Sequence, residues 1–134
     1  MLPDEATSSV LATAGIGLTV GANLFRGPVR PQSATIPHKA VFCLTTGGPA
    51  PLTHDIKNGG PDIKRGAVQV RVRSDVGKFE AGQLLATNAW NALQRAEAPG
   101  YMSITCRESA PVYLGLDDTE HHEWTINAET MREE

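Results

Sequence analysis

Two hydrophobic rhythms follow one another between Ala67 and Ala96. The run Ala67-Val68-Gln69-Val70-Arg71-Val72-Arg73 alternates apolar and polar side chains. Successive side chains of a strand point to opposite faces. The alternation therefore predicts a strand with Val68, Val70 and Val72 on one face and Gln69, Arg71 and Arg73 on the other. Ser74-Asp75 ends that rhythm. Phe79, Leu85, Ala89, Trp90, Leu93 and Ala96 then recur at spacings of three and four, which is helix period, and Pro99-Gly100 stops the helix. Neither element buries its apolar face alone, so the helix is expected to lie on the valine face of a sheet.

The remaining elements follow from the same patterns. Asp4 to Leu24 reads as a helix, with Asp4 placed to cap it and Leu11 and Leu18 on a narrow buried face. Gly15, Gly17 and Gly21 each weaken a helix by about 1 kcal/mol relative to alanine. An end at Gly15-Ile16-Gly17-Leu18, with Leu18 to Leu24 as strand or loop, is the alternative. Asn23 to Pro28 reads as a turn anchored by Phe25. His38 to Leu44 is a strand with both faces partly covered. Thr45 to Gly66 holds Gly47-Gly48-Pro49 and Asn58-Gly59-Gly60-Pro61 and shows no period. It reads as a long connection, and long connections are commonly functional, so a contact element is expected there. Tyr101 to Cys106 and Glu123 to Thr130 alternate as strands, with a loop from Ser109 to Thr119 between them. The fold class is α+β: a single domain over residues 1–134, a mostly antiparallel sheet with helices on one face, in the order α-β-β-α-β-β.

Charge changes this picture more by its layout than by its sum. The net charge is −3 and the pI about 5.8, unlike a general nucleic-acid binder, which is basic overall. From Lys57 to Lys78 six basic residues face two acids, a local charge of +4; from Glu108 to Glu134 eight acids face Arg132, a local charge of −7. Either this is a mixed solvated surface, or basic and acidic edges meet between neighbouring subunits. The second reading makes Lys64, Arg65, Gln69, Arg71, Arg73, Asp117, Asp118 and Glu129 the candidate interface residues. Cys43 and Cys106 lack metal-site spacing and lie in strand-like runs, where cysteine acts as a small hydrophobe. The apolar run Val10 to Val20 is shorter than the ~20 residues that span a bilayer, so no membrane partner is expected.

Candidate chemistry is sparse. Asn58 to Gly66 lacks the Gly-Lys-Ser/Thr of a phosphate loop and precedes a strand rather than a helix. Gly15-Ile16-Gly17 follows no strand, as a dinucleotide fold would require. Asp117 to Glu123, with His121-His122, holds metal-ligand residue types, but the spacing matches no closed site; the alternative is a solvated turn entering the last strand. Serines, cysteines and histidines form no nucleophile motif. Gln69, Arg71 and Arg73 are placed to meet DNA phosphates. The alternatives are a half-exposed face, with Arg71 or Arg73 paired across strands to Glu129, or a protein interface. No enzyme activity and no cofactor are expected.

Taken in order, several of these segments resemble the tail-terminator family of long-tailed bacteriophages, also described as minor capsid or tail-completion proteins. Gly15-Ile16-Gly17 with Asn23-Leu24-Phe25-Arg26-Gly27 resembles the family's first helix and following turn, and Gly47-Gly48-Pro49 its loop after the first strand. Val68 to Arg73 with the helix ending in Trp90-Asn91-Ala92-Leu93 is similar to its core. Pro111 to Asp118 with Trp124-Thr125-Ile126-Asn127 resembles its last strand pair. A departure is His121-His122, where the family more often has an arginine. The resemblance implies a structural virion protein without an active site: a homohexameric ring at the head-proximal end of the tail tube. That ring ends tube polymerisation and joins the tail to the head, with the tube protein and the head–tail connector as partners. It also implies that DNA passes through the lumen without sequence-specific binding, and a location in the virion neck, with the host cytoplasm as the place of assembly. The rival readings are a head-completion or adaptor protein of the same neck, or a small ligand-binding or enzymatic domain.

Overall fold

A computed structural model describes residues 2–27, 39–48, 52–53 and 62–133. The chain forms α1 (Pro3–Thr13), β1 (Leu24–Arg26), β2 (Ala40–Thr45), β3 (Leu52–Thr53) and β4 (Asp62–Val76). These are followed by α2 (Phe79–Leu93), β5 (Ser103–Cys106), β6 (Val112–Leu116) and β7 (His121–Glu133). The strands make one sheet in the order β1-β2-β4-β7-β5, with β3 added to β4 and β6 to β7. Among the described strands the β1–β2 pair is parallel and the others are antiparallel. This is the expected α+β class, with the two helices and four expected strands in the expected order and three further short strands among them.

The valine face is as the alternation predicts. Val68, Val70 and Val72 are buried, whereas Gln69 and Arg73 are half-buried and Arg71 is exposed. Across the ladder, Val68, Val70 and Val72 stand opposite Ala128, Ile126 and Trp124 of β7, and Val70 and Val72 opposite Cys43 and Val41 of β2. Helix α2 lies on β4 and β7, and α1 on β1, β2 and β4. The buried stripe of α2 is Gly82, Leu85, Ala86, Ala89 and Leu93, and its small residues let the helix approach closely. A Cβ on Gly82 would sit 2.6 Å from both Ser74 Cβ and the Trp124 ring.

Several sequence expectations need correction. Helix α1 ends at Thr13, just before the earlier of the two ends considered; Gly15 and Gly17 follow at φ 73° and 84°, a region that strains residues with a Cβ. Its N-cap is Leu2 rather than Asp4; the Asp4 carboxylate instead meets Arg26 at 3.0 Å. The expected turn around Phe25 contains the parallel edge strand β1. Ser74-Asp75 does not end β4 but is an irregularity within it, since pairing with β7 resumes at Val76↔His121. The strand also opens earlier, at Asp62, so Lys64 and Arg65 belong to the sheet rather than to the long connection. Most of that connection, including 49–51 and 54–61, lies outside the described residues. Helix α2 stops at Leu93; Arg95 takes φ 59°, and Ala96 bridges to Ile104. Within the expected loop Ser109 to Thr119 lies a strand, β6, and β7 runs three residues beyond Thr130.

Candidate functional site

Three surface features gather the polar and apolar groups that the core does not use. The first is a cleft of about 300 Å³ at the end of the sheet where β4 begins and β7 finishes. It is lined by Pro3 of α1, by Thr45 at the end of β2 and Gly47 just beyond it, by Lys64, Arg65 and Gly66 of β4, and by Thr130 and Arg132 of β7. Gly66 makes this possible. It pairs with Thr130, and a Cβ there would lie 2.6 Å from Thr130 Oγ1 and 3.0 Å from Pro3 Cγ. Lys64 stands directly across from Arg132. The Arg132 guanidinium lies 5.7 Å over the Tyr101 ring. Burial pushes the Tyr101 hydroxyl above its ordinary pKa, with Arg132 opposing that shift.

The second feature is the sheet face away from the helices. Phe25 and Phe42 stack with centroids 5.5 Å apart, and the Arg73 guanidinium lies 5.8 Å over Phe42. Arg71 faces Thr125, and Arg73 faces Glu123. The expected partner Glu129 is not opposite either arginine; it faces Ala67 and Thr105. Glu129 does share a hollow of about 190 Å³ with Arg65. The Thr125 hydroxyl is a buried group without a hydrogen-bond partner.

The third feature is the β6–β7 hairpin. Asp117 Oδ1 accepts hydrogen bonds from the Thr119 N–H at 2.8 Å, the Thr119 hydroxyl at 2.9 Å and the His121 N–H at 2.9 Å. Burial alone would raise this carboxyl, but those bonds and the nearby His121 ring outweigh it and hold the pKa at about 2. Asp117 is thus spent inside the turn, while Asp118, Thr119 and Glu120 are exposed at its tip. Asp117, Thr119 and His121 have the residue types of a hydrolytic triad. In a triad, however, acid and nucleophile contact opposite ring nitrogens, and here both contact Nδ1, at 3.3 and 2.7 Å. The group fastens a turn. Beside it Phe79, Tyr113, His122 and Trp124 cluster with centroids 5.2–6.2 Å apart, and the Tyr113 hydroxyl shares a 2.8 Å hydrogen bond with His122 Nδ1. Along β6, Val112, Tyr113, Leu114 and Leu116 are each 40–59% exposed.

The sequence candidates therefore separate into groups. Lys64 and Arg65 line the cleft; Gln69, Arg71, Arg73 and Glu129 lie on the open face; Asp117 is internal to the turn and Asp118 is at its tip. The structure adds Arg132, Thr45, Thr130 and Glu120, and the apolar edge of β6. Arg132 was hidden as the lone base of an acidic run. The β6 signal was present as an apolar run bounded by Pro111 and Asp117, the length of a short strand. The thiols offer no nucleophile: burial pushes Cys43 up to about 12 and Cys106 to about 11, and the thiolate is the reactive form. They lie on β2 and β5, with β4 and β7 between them. Among the described residues no three His, Cys, Asp or Glu side chains gather as a metal cage, and no described helix is long and apolar enough to cross a membrane.

The fold is similar to that of a chain in the virion of a native gene transfer agent particle. The TM-score is 0.64, with 98% of this chain and 95% of that chain covered at 15% sequence identity. At that identity the likeness is one of fold. No protein-family model matches the sequence, and no curated protein matches it.

Proposed function

We propose that this chain is a structural virion protein of the tail-terminator kind. It assembles as a hexameric ring on the head-proximal end of a phage tail tube, ends tube growth and receives the head connector, with DNA passing through the lumen. The observation that carries this reading is the fold shared with a virion-particle chain over nearly the whole of both proteins. The ordered sequence segments that resemble tail terminators support the finer assignment. Mechanism here means competition between surfaces: a ring that fits the last tube layer occupies the site the next layer would need. Ring closure requires a heterologous contact, in which two different patches of each subunit meet. The cationic residues Lys64, Arg65, Arg71 and Arg73, the neutral Gln69, and the acidic residues Asp117, Asp118 and Glu129 are the proposed contact set. Asp117 acts in it by shaping the turn.

Electron microscopy of the purified protein tests the ring directly, and tube length in particles lacking the protein tests the role. Tail-diameter rings together with overlong tubes in the depleted particles are the expected results. Tubes of normal length without attached heads would transfer the protein to the neck as a head-completion or adaptor component. Monomers that bind a small molecule would replace the reading with a ligand-binding one.

A further inference from the structure

We infer that the outer edge of β6 is a docking site for an extended segment of a different protein, an apolar strand with lysine or arginine at its amino end. It adds to the sheet antiparallel to β6. An unpaired strand edge offers a row of backbone N–H and C=O groups to any extended chain, and proteins commonly close such edges. This chain closes the edges of β1 and β5 with its own residues. Beside β1, the Leu24 N–H donates to the Thr19 carbonyl at 3.2 Å, the Gly21 N–H donates to the Leu24 carbonyl at 2.9 Å, and Val20 bridges to Leu24. Beside β5, Ala96 bridges to Ile104, and the Cys106 N–H donates to Gln94 Oε1 at 2.8 Å. β6 pairs with β7 on one side, and among the described residues no backbone bond is made on its other side. The Asp117 N–H bonds to the His121 carbonyl. Inward and outward residues alternate in an antiparallel pair, so the Leu116 backbone groups point outward. The strand itself holds no charge and no proline, and Val112, Tyr113, Leu114 and Leu116 are all exposed. Val112 stands beside Thr125 and Tyr113 beside Trp124, so apolar groups flank the edge on both faces of the sheet. Charge selects the occupant. At the carboxyl end of β6 the turn exposes Asp118 and Glu120, and three hydrogen bonds to Asp117 set its shape before binding. A second copy paired antiparallel about Leu114 would bring Glu120 toward the other copy's Glu108, and like charges across a ladder are unfavourable. A different strand with cations ahead of its apolar run sets them beside Asp118 and Glu120.

The probe is an array of synthetic octapeptides of alternating apolar residues with Lys-Arg at the amino end, and the readout is binding of the fluorescently labelled full chain. Wild type is expected to bind members of this array, and to bind their Glu-Glu counterparts about tenfold more weakly. N-methylation at every second residue removes the backbone donors of one edge of the peptide. It is expected to abolish binding in one register and spare it in the other, the signature of a ladder. The folded variant Leu114→Lys/Leu116→Lys should lose the peptides at an unchanged melting temperature, and Asp118→Lys/Glu120→Lys should prefer Glu-Glu to Lys-Arg. Three results would overturn the inference: no array member bound by wild type, methylation registers that act alike, or a folded leucine variant that binds as wild type does. If the leucine variant does not fold, the two methylation registers on wild-type protein decide. Wild-type self-association that disappears in the folded leucine variant would give the edge to a second copy and also overturn it. Rings are scored separately by electron microscopy, so their absence leaves this docking site standing and a failed array leaves the ring.

Discussion

At Gly82 two opposing effects of a single methyl group can be weighed. Alanine favours a helix over glycine by about 1 kcal/mol. Yet a Cβ there would lie 2.6 Å from the Trp124 ring and from Ser74 Cβ, and overpacking of this kind costs roughly 1–3 kcal/mol. Both obstacles belong to the interior of the sheet, so the clash wins. Gly82→Ala should lower the urea midpoint, whereas Gln83→Ala, at an exposed position of the same helix, should leave it unchanged or raise it. Asp117 makes a second prediction at this scale. Its carboxyl has an ordinary value of 3.8 and a folded value of about 2. A depressed folded pKa means that the ionised form is favoured by folding. That contribution is complete above pH 3.8 and is lost as pH falls toward 2. Thermal melts across this window should show Asp117→Ala already destabilised at neutral pH and approaching wild type as acid protonates the native carboxyl. A constant difference between the two proteins from pH 7 to pH 2 would show that the carboxylate does not hold the turn.

Among elements, β4 and α2 were readable because one face of each is buried and the other is wet. Val70 is fully buried between the ladder partners Cys43 and Ile126. An uncompensated carboxylate at such a position is strongly disfavoured, so Val70→Asp should abolish soluble folded protein; an unchanged melting temperature would mean that the faces are misassigned. Arg73→Glu tests the opposite face. It would set a glutamate across from Glu123 and remove the contact over Phe42. The expected loss is about 1 kcal/mol, against little change for the exposed Arg71→Glu, and chemical denaturation separates the two. The elements that were not readable lack the wet–dry contrast. β6 carries apolar groups that are themselves exposed, three of them consecutive, so no alternation marks it. The first residues of β4 serve a cleft and the close approach of Pro3, so cations and Gly66 stand where a core face would show aliphatics. β1 is three residues long and gains its place from a parallel partner more than a dozen residues away. The candidate site was legible as charge in the sequence but not as location. Neither charge run could show that Lys64 and Arg132 share a cleft, or that Asp117 is consumed by its own turn.

For the whole molecule, the proposed ring together with the separation of the β4 cations from the hairpin-tip carboxylates predicts that assembly depends on salt. The Debye length falls from about 10 Å at 0.1 M to 3 Å at 1 M ionic strength, and exposed pairs are worth about 0.2–1 kcal/mol each. Because a ring repeats its contact at every subunit, modest losses add around it. Sedimentation over a salt series should show rings giving way to smaller species as salt rises; rings indifferent to salt would mean that the contacts are chiefly apolar, with the β6 edge the first place to look. The long ladder between β4 and β7, paired without a break from Ile63↔Glu133 to Arg73↔Glu123, has a mechanical consequence. Hydrogen bonds in an antiparallel pair run perpendicular to the strands. A pull applied along the strands, between the hairpin tip and the far end of β4, would load those bonds together in shear rather than peel them one at a time. Stretched between its neighbours, such a subunit would resist as a lap joint resists, and would be far weaker to a force that lifts β7 off the sheet from one end.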